Sequence, residues 1–160
     1  MNQEFDAQAF RRVMGQFATG VTVITALDQA GHKYGMTANS FTSVSLDPPL
    51  VLVCVGRDLD FCRIIAEATH FSVNILASHQ EDLSRRFARR GIDRFEGISH
   101  RPGRTGLPLL ADTLAHLECS RYELLSGGDH LIVLGRVEHL EYRGGEPLLY
   151  FGSNYRWLQT

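Results

Sequence analysis

The densest polar chemistry in the chain lies over residues 36–45, where Thr37, Asn39, Ser40, Thr42, Ser43 and Ser45 crowd into ten positions. Hydroxyl and amide side chains of this kind can hydrogen-bond their own backbone and build turns. They can also supply the donors and acceptors that a flat polar ligand needs along one edge. Composition leaves both uses open. A second candidate is Gly128-Asp129-His130, a tight turn that delivers an imidazole to the start of a strand. That imidazole is either incidental to the turn or able to donate to a ligand and move a proton near neutral pH. A third is the set Tyr150, Tyr155, Arg156 and Trp157. It could cap the core, form a subunit contact, or make an aromatic and guanidinium lip over a nucleotide. Arg85, Arg86, Arg89, Arg90 and Arg94 form a cationic cluster, which reads as a solvated helix face or as a phosphate site.

Other chemistries lack their signatures. No GxGxxG follows a strand, and there is no Walker A loop, HExxH or GxSxG. The seven histidines are scattered, with no pair at helix-face metal spacing. His130 and His139 are expected on one strand with side chains on opposite faces, which keeps them from sharing a metal. Sixteen Lys and Arg against eighteen Asp and Glu give a net charge of −2, contrary to what nucleic-acid binding requires. The length of 160 residues suits one domain over 1–160, and 44% hydrophobic with 21% charged residues is ordinary for a soluble globular protein. Cys54, Cys62 and Cys119 show no CxxC spacing, and no signal segment is evident, so a reducing, cytoplasmic setting is expected. No apolar run reaches the roughly 20 residues that span a bilayer, so no membrane association is expected.

The elements that must position these groups follow from periodicity. Phe10, Val13, Met14 and Phe17 predict an N-terminal helix ended by Gly20. The β-branched run 21–25 predicts a strand, and turn chemistry at 28–31 makes 33–38 its hairpin partner. Pro48-Pro49 should block helix and ladder alike before a buried strand at 50–55. A second helix starts near Asp60, with Phe61, Ile64, Ile65 and Ala68 on one face. Alternation predicts a strand at 70–76. Ser78-His79-Gln80-Glu81 matches a capping box ahead of a short helix carrying Leu83 and Phe87. Residues 91–108 read as one long loop. A meander follows: a strand at 115–125, a turn at Gly127-Gly128, a strand at 131–140 and a short one at 148–151. Six or seven strands with three short helices do not alternate as βαβα units. An antiparallel sheet closed into a barrel fits better, because closure removes exposed edges.

From residue 17 to 158 the chain resembles the flavin reductase-like family, the small reductase components of two-component flavin monooxygenases. The resemblance rests on Phe17-Ala18-Thr19-Gly20-Val21-Thr22-Val23, Gly35-Met36-Thr37-Ala38-Asn39-Ser40-Phe41 and Ser43-Val44-Ser45-Leu46-Asp47-Pro48-Pro49-Leu50-Val51. It continues through Phe71-Ser72-Val73-Asn74-Ile75-Leu76, Leu83-Ser84 with Phe87-Ala88, Gly128-Asp129-His130 and Pro147-Leu148-Leu149-Tyr150-Phe151. Their shared order and spacing carry it, rather than any one of them.

The resemblance implies a mainly β fold with a few short helices, a split, Greek-key-like antiparallel β-barrel of the FMN-binding type. It implies hydride transfer from NADH or NADPH to FMN or FAD, a homodimer, and a partner monooxygenase that receives reduced flavin. Thr37, Ala38, Asn39 and Ser40 would line the isoalloxazine and ribityl chain, with Ser43, Val44 and Ser45 as the adjoining wall. Cys54 and Val55 would close the second strand of the site. Gly56, Arg57, Asp60 and Phe61 would approach the phosphate at a helix start, and Phe87, Ala88 and Arg89 would complete that end. His130 would contact the nicotinamide, orienting it or stabilising charge on the reduced ring. Tyr150, Tyr155 and Arg156 would form the lip. Family members often carry Ser or Thr where this chain has Arg57-Asp58-Leu59-Asp60. Two carboxylates there oppose a phosphate unless they turn away, with Arg57 as the compensating charge. Two other readings stand beside this one: a flavin-binding electron carrier without nicotinamide turnover, and a reductase acting on a corrinoid or ferric chelate.

Overall fold

The computed structural model describes residues 5–159, so the expected domain span of 1–160 runs past it at both ends. Helix α1 (Ala7–Met14) leads into β1 (Thr19–Gly20), β2 (Thr22–Leu27), β3 (Lys33–Ala38), β4 (Phe41–Leu46) and β5 (Pro49–Gly56). Helix α2 (Asp60–Glu67), strand β6 (His70–Ile75) and helix α3 (Glu81–Ala88) follow. The rest is β7 (His100–Pro102), β8 (Pro108–Leu110), β9 (Ala115–Gly127), β10 (His130–Tyr142), β11 (Leu149–Phe151) and β12 (Asn154–Arg156).

The fold is mainly β and antiparallel, with three short helices. Seven strands pair in the order β3-β2-β6-β9-β10-β5-β4, while β1-β11-β12 and β7-β8 form small separate sheets. The edge strands β3 and β4 are consecutive in the chain, joined only by Asn39 and Ser40. A flat sheet of this width would hold its edges about 29 Å apart. A link of this length reaches only about 11 Å. The sheet must therefore curl until its edges meet at that corner, where the Cys54 amide donates to the Ser40 carbonyl at 3.1 Å. Among the described residues no ladder pairs β3 with β4, so the expected closure of the barrel is not made by hydrogen-bonded strands.

Apolar side chains fill the curl. Ile24, Val53, Val55, Phe71, Val73 and Val133 form its centre, and helix α2 closes one end with Phe61, Ile64 and Ile65. A second cluster packs α3 against the sheet through Val21, Val23, Phe87, Phe95 and Leu148. Phe87 is fully buried because Gly35 lies beneath it. A Cβ at Gly35 would lie 2.6 Å from the Phe87 ring, so only glycine permits this approach. Burying such a ring contributes about 2–3 kcal/mol. The buried Asn74 amide joins three strands, donating to Val23 O at 2.9 Å and accepting from Leu110 N at 2.8 Å.

Several expectations need correction. The N-terminal helix stops at Met14, capped by Gly15, and none of its residues is buried; Phe17 lies beyond it. Residues 41–46, for which no strand was expected, form edge strand β4, where one side of the strand can remain in water. Pro49 does not block the ladder but begins β5 opposite Leu46, the position in a strand that proline tolerates. The capping box does not form. Gln80 holds the cap position of α3, and its side chain bonds Ala77 N at 2.9 Å and Ala111 O at 2.8 Å instead. The long loop contains the β7-β8 hairpin, and β12 had no counterpart in the expected elements. The meander turn centres on Gly128-Asp129, one residue later than expected. Two register shifts interrupt the β9–β10 ladder, and the second leaves Glu138 of β10 as an extra residue, so simple alternation does not carry from His130 to His139. Their separation along the strand, roughly 30 Å, is what keeps them apart.

Candidate functional site

A cavity of about 500 Å³ opens where the curled edges meet. Its floor comes from Met36, Thr37 and Ala38 of β3, the Asn39–Ser40 corner, and Cys54 and Gly56 of β5. His130 borders it from β10, Tyr150 and Tyr155 from the small sheet, and Ala88 and Arg90 from the end of α3. A second cavity of about 190 Å³ adjoins it, sharing Met36, Thr37, Asp58, Leu59, Ala88 and Arg90. Asp60, Phe61, Phe87 and Arg94 wall its far side.

Each side chain is held by its neighbours. The Thr37 hydroxyl donates to Ser84 O at 2.5 Å and Ser40 to Cys54 O at 2.8 Å. Both hydroxyls thus brace the backbone and retain acceptor lone pairs. Of the two uses weighed for this polar run, these bonds show the first and leave atoms free for the second. The exposed Asn39 amide has no hydrogen-bond partner among the described residues, leaving its donors and acceptor available. Burial pushes the Cys54 thiol up, so it stands in the wall as a neutral group rather than a thiolate.

His130 faces Gly56 across the β5–β10 ladder, and its Nδ1 meets Asp129 Oδ1 at 2.7 Å. That hydrogen bond holds the Asp129 carboxyl below its ordinary range. With Nδ1 engaged, Nε2 is the ring nitrogen left for a ligand. The turn itself is clamped from β5. Arg57 donates from its amide to Asp129 O at 2.9 Å, from Nε to Gly128 O at 3.1 Å and from Nη2 to Ser126 Oγ at 3.1 Å. On the far rim the Tyr155 hydroxyl bonds Ser84 Oγ at 2.7 Å, Tyr150 meets it edge-on at 5.4 Å, and the Arg85 guanidinium lies over its ring at 4.8 Å.

The larger cavity brings together Thr37, Ala38, Asn39, Ser40, Cys54, Gly56, Ala88, His130, Tyr150 and Tyr155. Asp60, Phe61 and Phe87 border the smaller one. Other expected positions lie outside both. Ser43 and Val44 are exposed on β4 and Ser45 is half-buried there, because the strand runs away from the corner. Val55 points into the core instead. Arg57 serves the β9–β10 turn, and Arg156 is exposed on β12. Arg89 ends α3 with its carbonyl bonded to Arg94, so the residue that reaches the cavity is Arg90. Arg90 pairs with Asp58 at 2.6 Å, which supplies the compensating charge expected of Arg57. Val21 was not foreseen in the site, whereas Met36, Asp58 and Leu59 lie within the runs expected near the ligand and Arg90 and Arg94 within the arginine cluster. The arginine cluster signalled a cation near α3 but not which member turns inward.

The chain matches the family model described as flavin reductase like domain over residues 14–159. It is 46% identical over 151 residues to a probable flavin reductase of Rhizobium meliloti (strain 1021), covering 94% of this chain and 49% of that one. It is 39% identical over 158 residues to the flavin-dependent monooxygenase reductase subunit HsaB of Rhodococcus jostii (strain RHA1), covering 98% and 80%. The chain thus spans about half the length of the first relative and most of the second. Among solved structures, the NADH:FAD oxidoreductase SgcE6 of Streptomyces globisporus C-1027, in complex with NAD and FAD fragments, superposes with a TM-score of 0.92 at 42% identity. That match covers 96% of this chain and 93% of the other. With nearly its whole length matched in both sequence and backbone, the chain belongs to the flavin reductase-like domain family.

Proposed function

We propose that this protein is an NAD(P)H:flavin oxidoreductase that moves hydride from NADH or NADPH to FMN or FAD and supplies reduced flavin to a partner monooxygenase. The observation that carries the reading is the corner cavity, where an unpartnered amide, a neutral thiol and a half-exposed histidine converge. Its volume of about 500 Å³ lies in the range of small-molecule sites. A bound flavin supplies the ring that accepts hydride. The residues fit such a group. Asn39 offers donor and acceptor to a pyrimidine edge, the Thr37 and Ser40 oxygens accept, and Cys54 adds polarisable wall without charge. His130 orients the nicotinamide through Nε2, or holds charge at the reduced ring, while Asp129 fixes its tautomer. Tyr150 and Tyr155 cover the dinucleotide. Arg90 and Arg94 serve the phosphate end.

The same proposal includes a split, Greek-key-like β-barrel in a single domain, supported by the curl at Asn39–Ser40. It includes a homodimer, supported by the exposed Phe10, Val13, Met14, Leu140 and Tyr142. A cytoplasmic setting is supported by the free Cys54, Cys62 and Cys119. No described helix is long and apolar enough to cross a membrane. Relatives named as monooxygenase reductase subunits support the partner.

The test is an assay of nucleotide oxidation by the pure protein with each pairing of FMN or FAD with NADH or NADPH. Added flavin should stimulate oxidation in at least one pairing. A yellow protein that ignores both nucleotides would be an electron carrier. Nucleotide oxidation that needs a corrinoid or ferric chelate rather than flavin would move the reading to that acceptor.

A further inference from the structure

One ion pair stands where the two cavities adjoin. Asp58 follows β5 and Arg90 follows α3, and their 2.6 Å contact lies in wall common to both spaces. Gly56 makes room for it, since a Cβ there would lie 2.9 Å from the Asp58 Oδ1. Behind the pair, Arg94 donates from Nη1 to Gly35 O and from Nε to Arg89 O, each at 2.6 Å. Carbonyls orient a guanidinium without neutralising it; Arg94 makes no salt bridge among the described residues, while Asp60 on the same cavity favours its charge. The smaller cavity thus presents two guanidiniums and two carboxylates, of which only Arg90 and Asp58 are in direct contact.

We propose that Asp58 is a placeholder for a ligand phosphate: it holds Arg90 until a phosphorylated flavin displaces it, and so tunes how strongly the site favours phosphorylated over unphosphorylated flavin. This rests on the flavin reading above. A guanidinium fork accepts carboxylate and phosphate oxygens in the same geometry, so the exchange needs no rebuilding of Arg90. The pair is exposed, at 65% and 72% of its side-chain surfaces, and exposed pairs exchange readily. The FMN phosphomonoester brings about 1.5 to 2 negative charges, and the FAD diphosphate one on each phosphoryl group, against the single charge of the carboxylate, with Arg94 on the same cavity. Arg90 in turn holds the Asp58 carboxyl below its ordinary range, so the placeholder is ionised at neutral pH. Displaced, it remains beside the phosphate as a like charge. Asp58 therefore lowers phosphate affinity and leaves ring affinity alone.

The experiment titrates riboflavin, FMN and FAD into wild type, Asp58→Asn, Arg90→Gln and the double variant, following flavin fluorescence. Asp58→Asn should tighten FMN and FAD roughly two- to fivefold and leave riboflavin unchanged. Arg90→Gln should weaken FMN and FAD only, and in that background the gain from Asp58→Asn should largely disappear. Riboflavin is the internal control for a site that has merely been disturbed. An equal gain for riboflavin, no gain, or an undiminished gain in the Arg90→Gln background overturns the placeholder; the last makes Asp58 a plain repulsive charge. If riboflavin binds and these patterns fail, the placeholder alone falls. If wild type binds none of the three flavins, the flavin reading falls with it.

Discussion

At the scale of single residues, the site separates groups that line the cavity from groups that hold them. His130 borders the cavity, while Arg57 clamps the turn that carries it. Hydride transfer needs no general acid, so the work expected of His130 is orientation. Misplacing a reacting group by about 1 Å can cost on the order of a hundredfold. His130→Ala is expected to lower kcat by about ten- to a hundredfold and to leave flavin affinity intact, measured by steady-state kinetics beside a flavin titration. Unchanged turnover together with unchanged nucleotide KM would remove His130 from the mechanism. Gly35 has a different kind of importance. Its missing Cβ is where the Phe87 ring sits, and Phe87 is too buried to yield. Gly35→Ala should cost about 1–3 kcal/mol of stability by overpacking, read from denaturant midpoints. A neutral result would mean that α3 can lift off β3.

At the scale of elements, the turn between β7 and β8 is tied to the main sheet by one carboxylate. Glu118 of β9 accepts from Arg104 N at 3.1 Å, from Thr105 N at 2.8 Å and from the Thr105 hydroxyl. Gly103 leaves the space this carboxylate fills. Burial pushes Glu118 up, but the Thr105 and Arg104 donors outweigh it, and its carboxyl lies below the ordinary range. A depressed carboxyl stabilises the fold above its unfolded value, and that contribution is lost as pH falls through the folded value. Glu118→Gln should therefore cost about 1–3 kcal/mol at neutral pH, with the two stability curves converging in acid. Parallel curves down to low pH would show that the charge of Glu118 does not hold the hairpin. The same scale explains what sequence patterns could reveal. Buried runs such as β2 and β5 announce themselves, because strands covered on both faces are continuously apolar or β-branched, and β6 announces itself by alternation. Strand β4 looks like a loop because its polar residues face solvent at a sheet edge. The Asn39–Ser40 corner was legible as polar chemistry. Arg90 was not distinguishable from Arg89, since that choice depends on how the chain leaves α3.

At the scale of the whole molecule, the cavity is assembled from positions between Val21 and Tyr155, almost the full length of the chain. Strand β3 with the Asn39–Ser40 corner, strand β5, the end of α3, the start of β10 and the small sheet each contribute wall, and none of them makes the site alone. Unfolding disperses these walls together, so a ligand of this cavity binds the folded chain and not the unfolded one. Linkage then fixes the size of the response: at a hundred times Kd, binding adds about 2.7 kcal/mol. For a domain of this length each kcal/mol moves Tm by roughly 2–4 °C. Saturating FMN or FAD should therefore raise Tm by about 5–10 °C, with the increase growing logarithmically with flavin concentration. His130→Ala should retain that increase, because its role is assigned to the nucleotide, whereas Asn39→Ala should reduce it by loss of the unpartnered amide at the corner. A Tm indifferent to both flavins at saturating concentration would detach the cavity from flavin altogether, whatever the turnover of the protein.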